Sequence, residues 1–219
     1  MKNTPPQQEP TENIAYISVA PFVLNKKGQM LLVKRAKDPE RGWDLPSEKI
    51  KSVVRNKEGK KVSGDTNFHE AIRRAVHEET GAPYKQIKIK PSATQLGCIL
   101  GAALNEKKGK LILCVLVRLI GKIKFKSNNE ICGHRWAGIG GNGKNSWTKA
   151  VTSKIARDRI ALCLKILVEK EPRLMTYQHR GETLGQKPVA YRRLGEEALT
   201  VAWLKKHNLA PQQLGINVN

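Results

Sequence analysis

Aromatic residues make up only 5% of this 219-residue chain, with three Phe, four Trp and four Tyr. So sparse a set offers no platform on which successive bases of a single strand could stack, and Trp43 and Trp136 read as core or pocket-wall residues. Acidic residues are scarce too. Nineteen Asp and Glu against forty Lys and Arg leave a net charge of +21 and a sequence pI near 10.0. That balance favours a polyanionic partner such as RNA, DNA or a ribonucleoprotein, but charge alone supplies non-specific affinity and identifies no site; solvated surface charge is the other reading. No run approaches the ~18 apolar residues of a membrane span, and "LILCVLV" at 111–117 has the length of a strand. The opening "MKNTPPQQEPTEN", residues 1–13, lacks the apolar stretch of a secretory signal and reads as a disordered polar tail. Cysteine is rare and unpaired: Cys98, Cys114, Cys132 and Cys163 form no C-x-x-C. Three sit in apolar surroundings, which predicts buried free thiols in a reducing cytoplasm. Cys132 and His134 make a lone C-x-H, and a zinc site needs a second close pair.

What is present is a succession of strands and helices without an internal repeat. "IAYISVAPFVLN" (14–25) and "QMLLVKRA" (29–36) read as a hairpin about the turn "KKG", and a long basic, polar insertion follows "WDLPSEKI" at 51–64. Helix signals begin at Asp65 or Thr66, either of which can cap, and stop at Gly81 before Pro83. Residues 87–104 and 111–125 read as a second antiparallel pair across "NEKKGK", and 130–139 as a further strand. An amphipathic helix is expected over 153–170, no clear period over 173–189, and a helical pattern over 190–208. Strands, helix, strands and helix in that order predict an α+β fold with helices packed on a mixed or antiparallel sheet. The organisation expected is a tail (1–13), one domain (14–171) and a short helical C-terminal extension (172–219).

The chemistry concentrates in "RRAVHEETGA", residues 73–82. Residues three and four apart share a helix face, so Ala75, Glu78 and Glu79 point roughly the same way and Arg74 reaches Glu78. Two adjacent carboxylates repel unless a cation accompanies them, and oxygen-only ligands suit Mg²⁺ or Mn²⁺. Taken alone, the stretch reads first as a solvated acidic helix end balanced by Arg73 and Arg74, since Glu-rich helix surfaces are common.

The wider pattern "KGQMLLVKRA…GWDLPSEKI…GD…EAIRRAVHEETGA…EICGHRW" resembles the Nudix hydrolase family over about residues 15–170. The family motif is G-x5-E-x7-R-E-U-x-E-E-x-G-U, with U aliphatic. It places Arg74 as the motif arginine, Val76 as an aliphatic position, Glu78 and Glu79 as the paired glutamates and Gly81 as the terminal glycine. The resemblance implies a mixed sheet sandwiched by helices and metal-dependent hydrolysis of a nucleoside diphosphate-linked substrate. It implies Glu78 and Glu79 as ligands of Mg²⁺ or Mn²⁺, Arg74 orienting a glutamate, and Ser47, Glu48 and Lys49 on the substrate-binding loop. The departures are as informative. Ala75 stands where the family has a glutamate that holds metal or activates water. Ser47–Glu48 replaces a glycine pair whose backbone carbonyl serves as a metal ligand, and a carbonyl survives any side chain. The earlier motif glutamate falls at Thr66, or at Asp65 if the insertion shifts the register. Gly133 stands where an acid is often found before "HRW". Asp65, Glu48 and Glu130 are the candidate replacement carboxylates.

Two function classes follow: a weak or rearranged pyrophosphohydrolase, and a catalytically inactive fold relative that binds RNA, DNA or a ribonucleoprotein. Across 49–62, Lys49, Lys51, Arg55, Lys57, Lys60 and Lys61 face only Glu58, and this inserted stretch reads either as a cationic lid or as solvated charge. "GIGGNGKN" at 138–145 has the G-x4-G-K spacing of a phosphate loop, but Asn145 stands where Ser or Thr would hold Mg²⁺; a flexible loop is expected. Oligomeric state is not legible.

Overall fold

The computed structural model describes residues 14–51, 54–121, 124–139, 145–170, 191–207 and 209. The expected tail, most of the glycine-rich loop and the aperiodic 173–189 stretch lie outside them. The long strands are β1 (Tyr16–Leu24), β2 (Gln29–Arg35), β8 (Ile99–Asn105), β9 (Lys110–Leu119) and β10 (Ile131–Gly138), with short β3 (Trp43–Asp44), β4 (Glu48–Lys49), β5 (Val54–Arg55), β6 (Lys61–Ser63), β7 (Ile87–Ile89) and β11 (Arg192–Arg193). The helices are α1 (Phe68–Thr80), α2 (Trp147–Ala150), α3 (Lys154–Lys170) and α4 (Val201–Lys206).

The principal sheet runs β10-β2-β1-β9-β8-β11, with β3 on β2, β4 on β1 and β7 on β9. It is mixed: β1 pairs parallel to β9 from Tyr16↔Lys110 to Leu24↔Arg118, and its other pairings are antiparallel. Side chains alternate between faces with the period of the pleat. On β9, Leu111, Leu113, Val115 and Val117 join Phe68, Ile72 and Val76 of α1, while Ile112, Cys114 and Leu116 join Ile160, Cys163 and Ile166 of α3. A strand covered on both faces must be apolar at every position, which is why "LILCVLV" shows no alternation. The helices thus sandwich the sheet, as expected of this α+β class. On β8 the register shifts between Ile99 and Gly101, and Gly101 lets α3 approach closely, since a Cβ there would lie 2.5 Å from Ile166 Cγ2.

Several expectations are corrected. The cap of α1 is Asn67, whose side chain accepts from Glu70 N–H at 2.8 Å; Asp65 and Thr66 precede the helix and are used otherwise. Gly81 ends α1 in the left-handed region (φ 72°), as the motif predicts. The second sheet pair is shorter than its apolar run, because β9 stops at Leu119 and β7 is separated from β8. The basic insertion folds back on itself as the β5–β6 hairpin, and Lys61 ties it to α1 through an ion pair with Glu70. Residues 190–208 are not one helix. Arg192 and Arg193 pair with the free edge of β8, Gly195 is extended, and Thr200 caps the short α4. Pairing with an open strand edge satisfies backbone groups that a free helix end would leave bare, so the four-residue spacing was overridden. Cys98, Cys114 and Cys163 are buried free thiols, as expected, and Cys132 is exposed. No described helix is long and apolar enough to cross a membrane.

Candidate active site

Arg74 is the hub of the motif. Its Nε donates to Asp65 Oδ1 at 2.9 Å and its Nη2 to Asp65 Oδ2 at 2.8 Å, a two-pronged clasp on a carboxylate that is 1% exposed. Nη2 also donates to the Lys49 carbonyl at 2.8 Å, and Nη1 to Glu78 Oε2 at 2.9 Å, one turn along α1. Asp65 accepts a further bond from Lys51 N–H at 2.8 Å. One side chain therefore joins the approach to α1, the helix surface and the end of β4. Burial works against the charge of Arg74, but Asp65 and Glu78 more than offset it and raise its pKa. Of the two candidates for the earlier motif acid, Asp65 is the one that Arg74 holds; Thr66 instead donates to Glu70 at 2.5 Å.

The paired glutamates occupy different surroundings. The Glu78 side chain is 38% exposed, and Lys51 Nζ lies 3.7 Å from its Oε1. The Glu79 side chain is fully buried. Arg35, at the end of β2, donates through Nη2 to Glu79 Oε1 at 2.6 Å, and Ser47 N–H donates to Glu79 Oε2 at 3.1 Å. The same Arg35 Nη2 donates to the Ser47 carbonyl at 2.8 Å. Burial pushes the Glu79 carboxyl up to about 8, against Arg35 and the Ser47 amide, which favour the anion, and with Glu48, whose nearby charge disfavours it. In the unfolded chain a glutamate titrates near 4.3, so between that value and about 8 the native state holds the extra proton. Stability should fall as pH rises through this window. Melting temperatures of wild type and Glu79→Gln across pH 4–9 should show that slope in the wild type and its loss in the variant; parallel curves would reject it.

Ala75 does not share the exposed side of α1 with Glu78. It is fully buried in the α1-side apolar cluster, beside Ala71, Ile72 and Val76. Glu48 lies 3.9 Å from Arg74 Nη1 and is felt electrostatically by Glu79, so it is the replacement candidate that reaches the pair. Glu130 stands in the loop before β10, where it donates its N–H to Asn128; Asn128 itself reaches the helix, donating to the Glu78 carbonyl at 2.7 Å. At Gly133 a Cβ would lie 3.1 Å from the Trp43 ring, so an acidic side chain there would have to displace it. The Lys49 side chain turns away over the Tyr16 ring, 5.1 Å from its centroid, and only the Lys49 carbonyl meets Arg74. Ser47 Oγ is buried and finds no hydrogen-bond partner among the described residues. Arg35 and Asn128 are contributors that the sequence reading did not single out, and His134, read there only as part of a lone C-x-H, has its Nε2 2.7 Å from the Glu79 carbonyl. Their signal was weak: Arg35 lies in the strand segment "MLLVKR" and His134 in "HRW", but nothing in either segment states its partner.

Divalent cations take oxygen ligands, and Mg²⁺ holds near-octahedral geometry at 2.0–2.1 Å. Among the described residues, no group of three His, Cys, Asp or Glu side chains could hold a metal ion. Glu78 retains accessible oxygens and Glu48 lies across Arg74 from it, which fits a partial shell. Glu79, fully buried with Arg35 Nη2 on one oxygen and the Ser47 N–H on the other, does not fit.

Comparison with known proteins places this geometry in context. A family model described as the NUDIX domain matches residues 16–141. No curated protein matches the chain. Solved structures similar to it include an ADP-ribose pyrophosphatase from Streptococcus suis 89-1591 (16% identity, 68% of this chain and 90% of that one, TM-score 0.43). A MutT protein from Methanosarcina mazei Go1 matches at 20% identity over 71% of this chain and 95% of that one, TM-score 0.41. An Ap4A hydrolase from C. elegans matches at 18% over 70% and 96%, TM-score 0.43.

Proposed function

The chain belongs to the NUDIX family, and from that premise we propose that it is a slow pyrophosphohydrolase of a nucleoside diphosphate-linked substrate. The observation that carries this reading is the Asp65–Arg74–Glu78 chain, which presents a half-exposed carboxylate beside Lys51. In this reading Arg74 is a positioning residue, holding Glu78 toward the mouth while Asp65 holds Arg74. Lys51 and the basic β5–β6 hairpin draw the diphosphate in, and the Ser47–Lys49 backbone lines its approach. Glu79 works from beneath, fixing the Ser47 amide.

The family generally uses a divalent cation. We propose Mg²⁺ or Mn²⁺ held by Glu78, with Glu48 as the nearest further carboxylate and substrate phosphates completing the shell. Such an ion, when bound, neutralises the diphosphate and acidifies a coordinated water. Turnover is slow because no carboxylate here stands free to act as base, since Ala75 offers none and Asp65 and Glu79 are held by arginines, and losing a general base costs about 10²–10⁴ in rate, roughly 3–5 kcal/mol of barrier. Product release from a panel of nucleoside diphosphate derivatives with Mg²⁺ or Mn²⁺ tests the reading. Glu78→Gln should lower the rate by at least ~100-fold and leave folding intact. Activity that survives this change arises elsewhere.

One observation favours a second reading. Both motif glutamates and Asp65 are already matched by arginines, which suits a fold relative that holds a polyanion without cleaving it. Filter binding to RNA and duplex DNA across salt separates the two: a steep slope with no turnover selects binding, a flat slope discards it.

A further inference from the structure

Arg35 is held in place before its side chain is considered. It closes β2, is paired with Ile131 of β10, and projects a guanidinium whose Nη2 contacts two oxygens at once. One is Glu79 Oε1, on a fully buried side chain; the other is the Ser47 carbonyl, in the loop that follows β3. Both are hard oxygens of the kind a divalent ion takes. A guanidinium nitrogen carries two N–H bonds spread in a plane, so one Nη2 satisfies both acceptors without a second donor. With the nitrogen at 2.6 and 2.8 Å from them, the space between these oxygens is filled, and a metal ion there would sit against a fixed positive charge.

We propose that Arg35 is the resident cation of the Glu79 pocket, bridging the carboxylate and the Ser47 carbonyl in place of a divalent ion. Glu79 is then a positioning residue rather than a metal ligand, and metal uptake by this chain rests on the Glu78 side of the site. This inference concerns the same site as the proposed hydrolase and rests on that reading for its location. It departs from the ligand set implied by the motif, in which both glutamates hold metal.

Mn²⁺ binding to the full chain at pH 8.5, followed without substrate by the paramagnetic resonance of free Mn²⁺, tests it. Glu79→Gln should leave wild-type affinity within about twofold, whereas Glu78→Gln should weaken it at least tenfold. Arg35→Gln should tighten binding at least tenfold by releasing Glu79, and the gain should vanish in the Arg35→Gln/Glu79→Gln pair. Arg35→Lys should keep the pocket closed. If the wild-type chain takes up no measurable Mn²⁺, Arg35→Gln decides: uptake that appears there and vanishes in the double variant supports the proposal, and its absence in the folded variant overturns it. A tenfold loss in Glu79→Gln, or no gain in a folded Arg35→Gln, overturns the proposal, and the first of these decides even if Arg35→Gln does not fold. Because no substrate is present, the two ideas fail separately. A chain that binds Mn²⁺ as stated but cleaves nothing loses only the hydrolase reading, and one that cleaves but loses Mn²⁺ in Glu79→Gln loses only this one.

Discussion

Arg74→Ala should cost roughly 3–5 kcal/mol of stability and remove turnover together. The stability loss follows from what the arginine leaves behind. Asp65 is 1% exposed and would keep only the Lys51 N–H as a partner, so an almost uncompensated charge would remain inside the protein. For a domain of this size the corresponding fall in melting temperature is about 6–20 °C. The end of β4 would lose its tether as well, since the Lys49 carbonyl is held by the same guanidinium. Arg74→Lys should not rescue either property, because an ammonium cannot make the two-pronged bond to Asp65 while reaching Glu78. Urea denaturation and product release measured on the same preparations would check this. A stable Arg74→Ala protein would show that the hub is ornamental.

Asp44→Ala should produce a loss of similar size with a different functional signature. Asp44 of β3 and Arg159 of α3 form an ion pair on the opposite face of the sheet, where Asp44 is 7% and Arg159 5% exposed. The pair raises the pKa of Arg159 in spite of its burial, so the guanidinium stays charged inside the fold. Removing the carboxylate strands that charge, at a cost of about 3–5 kcal/mol. Replacing both partners with apolar residues of similar volume, as in Asp44→Leu/Arg159→Met, should recover most of the loss, since the penalty lies in the orphaned charge and not in the missing bond. The turnover of the folded fraction should be unchanged, because this pair touches neither Arg74 nor the glutamates. Denaturation with a rate corrected for folded protein distinguishes the two variants. An equal loss of rate in Asp44→Ala would mean that the two faces of the sheet are coupled.

Ala75 shows how far a motif can be read from spacing alone. Its helical position puts it one turn before Glu79, and both residues are indeed on the inward side of α1, fully buried. Helical spacing said that they share a face but not that this face is the core. The accessible carboxylate is Glu78, paired with Arg74 and beside Lys51, whereas the buried Glu79 carboxylate meets Arg35 and the Ser47 amide. A glutamate at position 75 would therefore meet Ala71, Ile72 and Val76 before it met solvent, and its return would not by itself rebuild a metal site.

Local chemistry is what the amino-acid order determined by itself. The β1–β2 turn, a strand within 130–139, the left-handed stop at Gly81 and the Arg74–Glu78 pair all depend on residues within a few positions of one another, and each was legible before any coordinates. The family resemblance extends the same logic, being a pattern of spacings. Tertiary structure alone decided the partners of the buried charges. Arg35 and Glu79 are forty-four residues apart, and β11 joins β8 from beyond the aperiodic segment. No local preference encodes such meetings; they arise because a buried carboxylate or an open strand edge must be satisfied by whatever the completed sheet brings within reach.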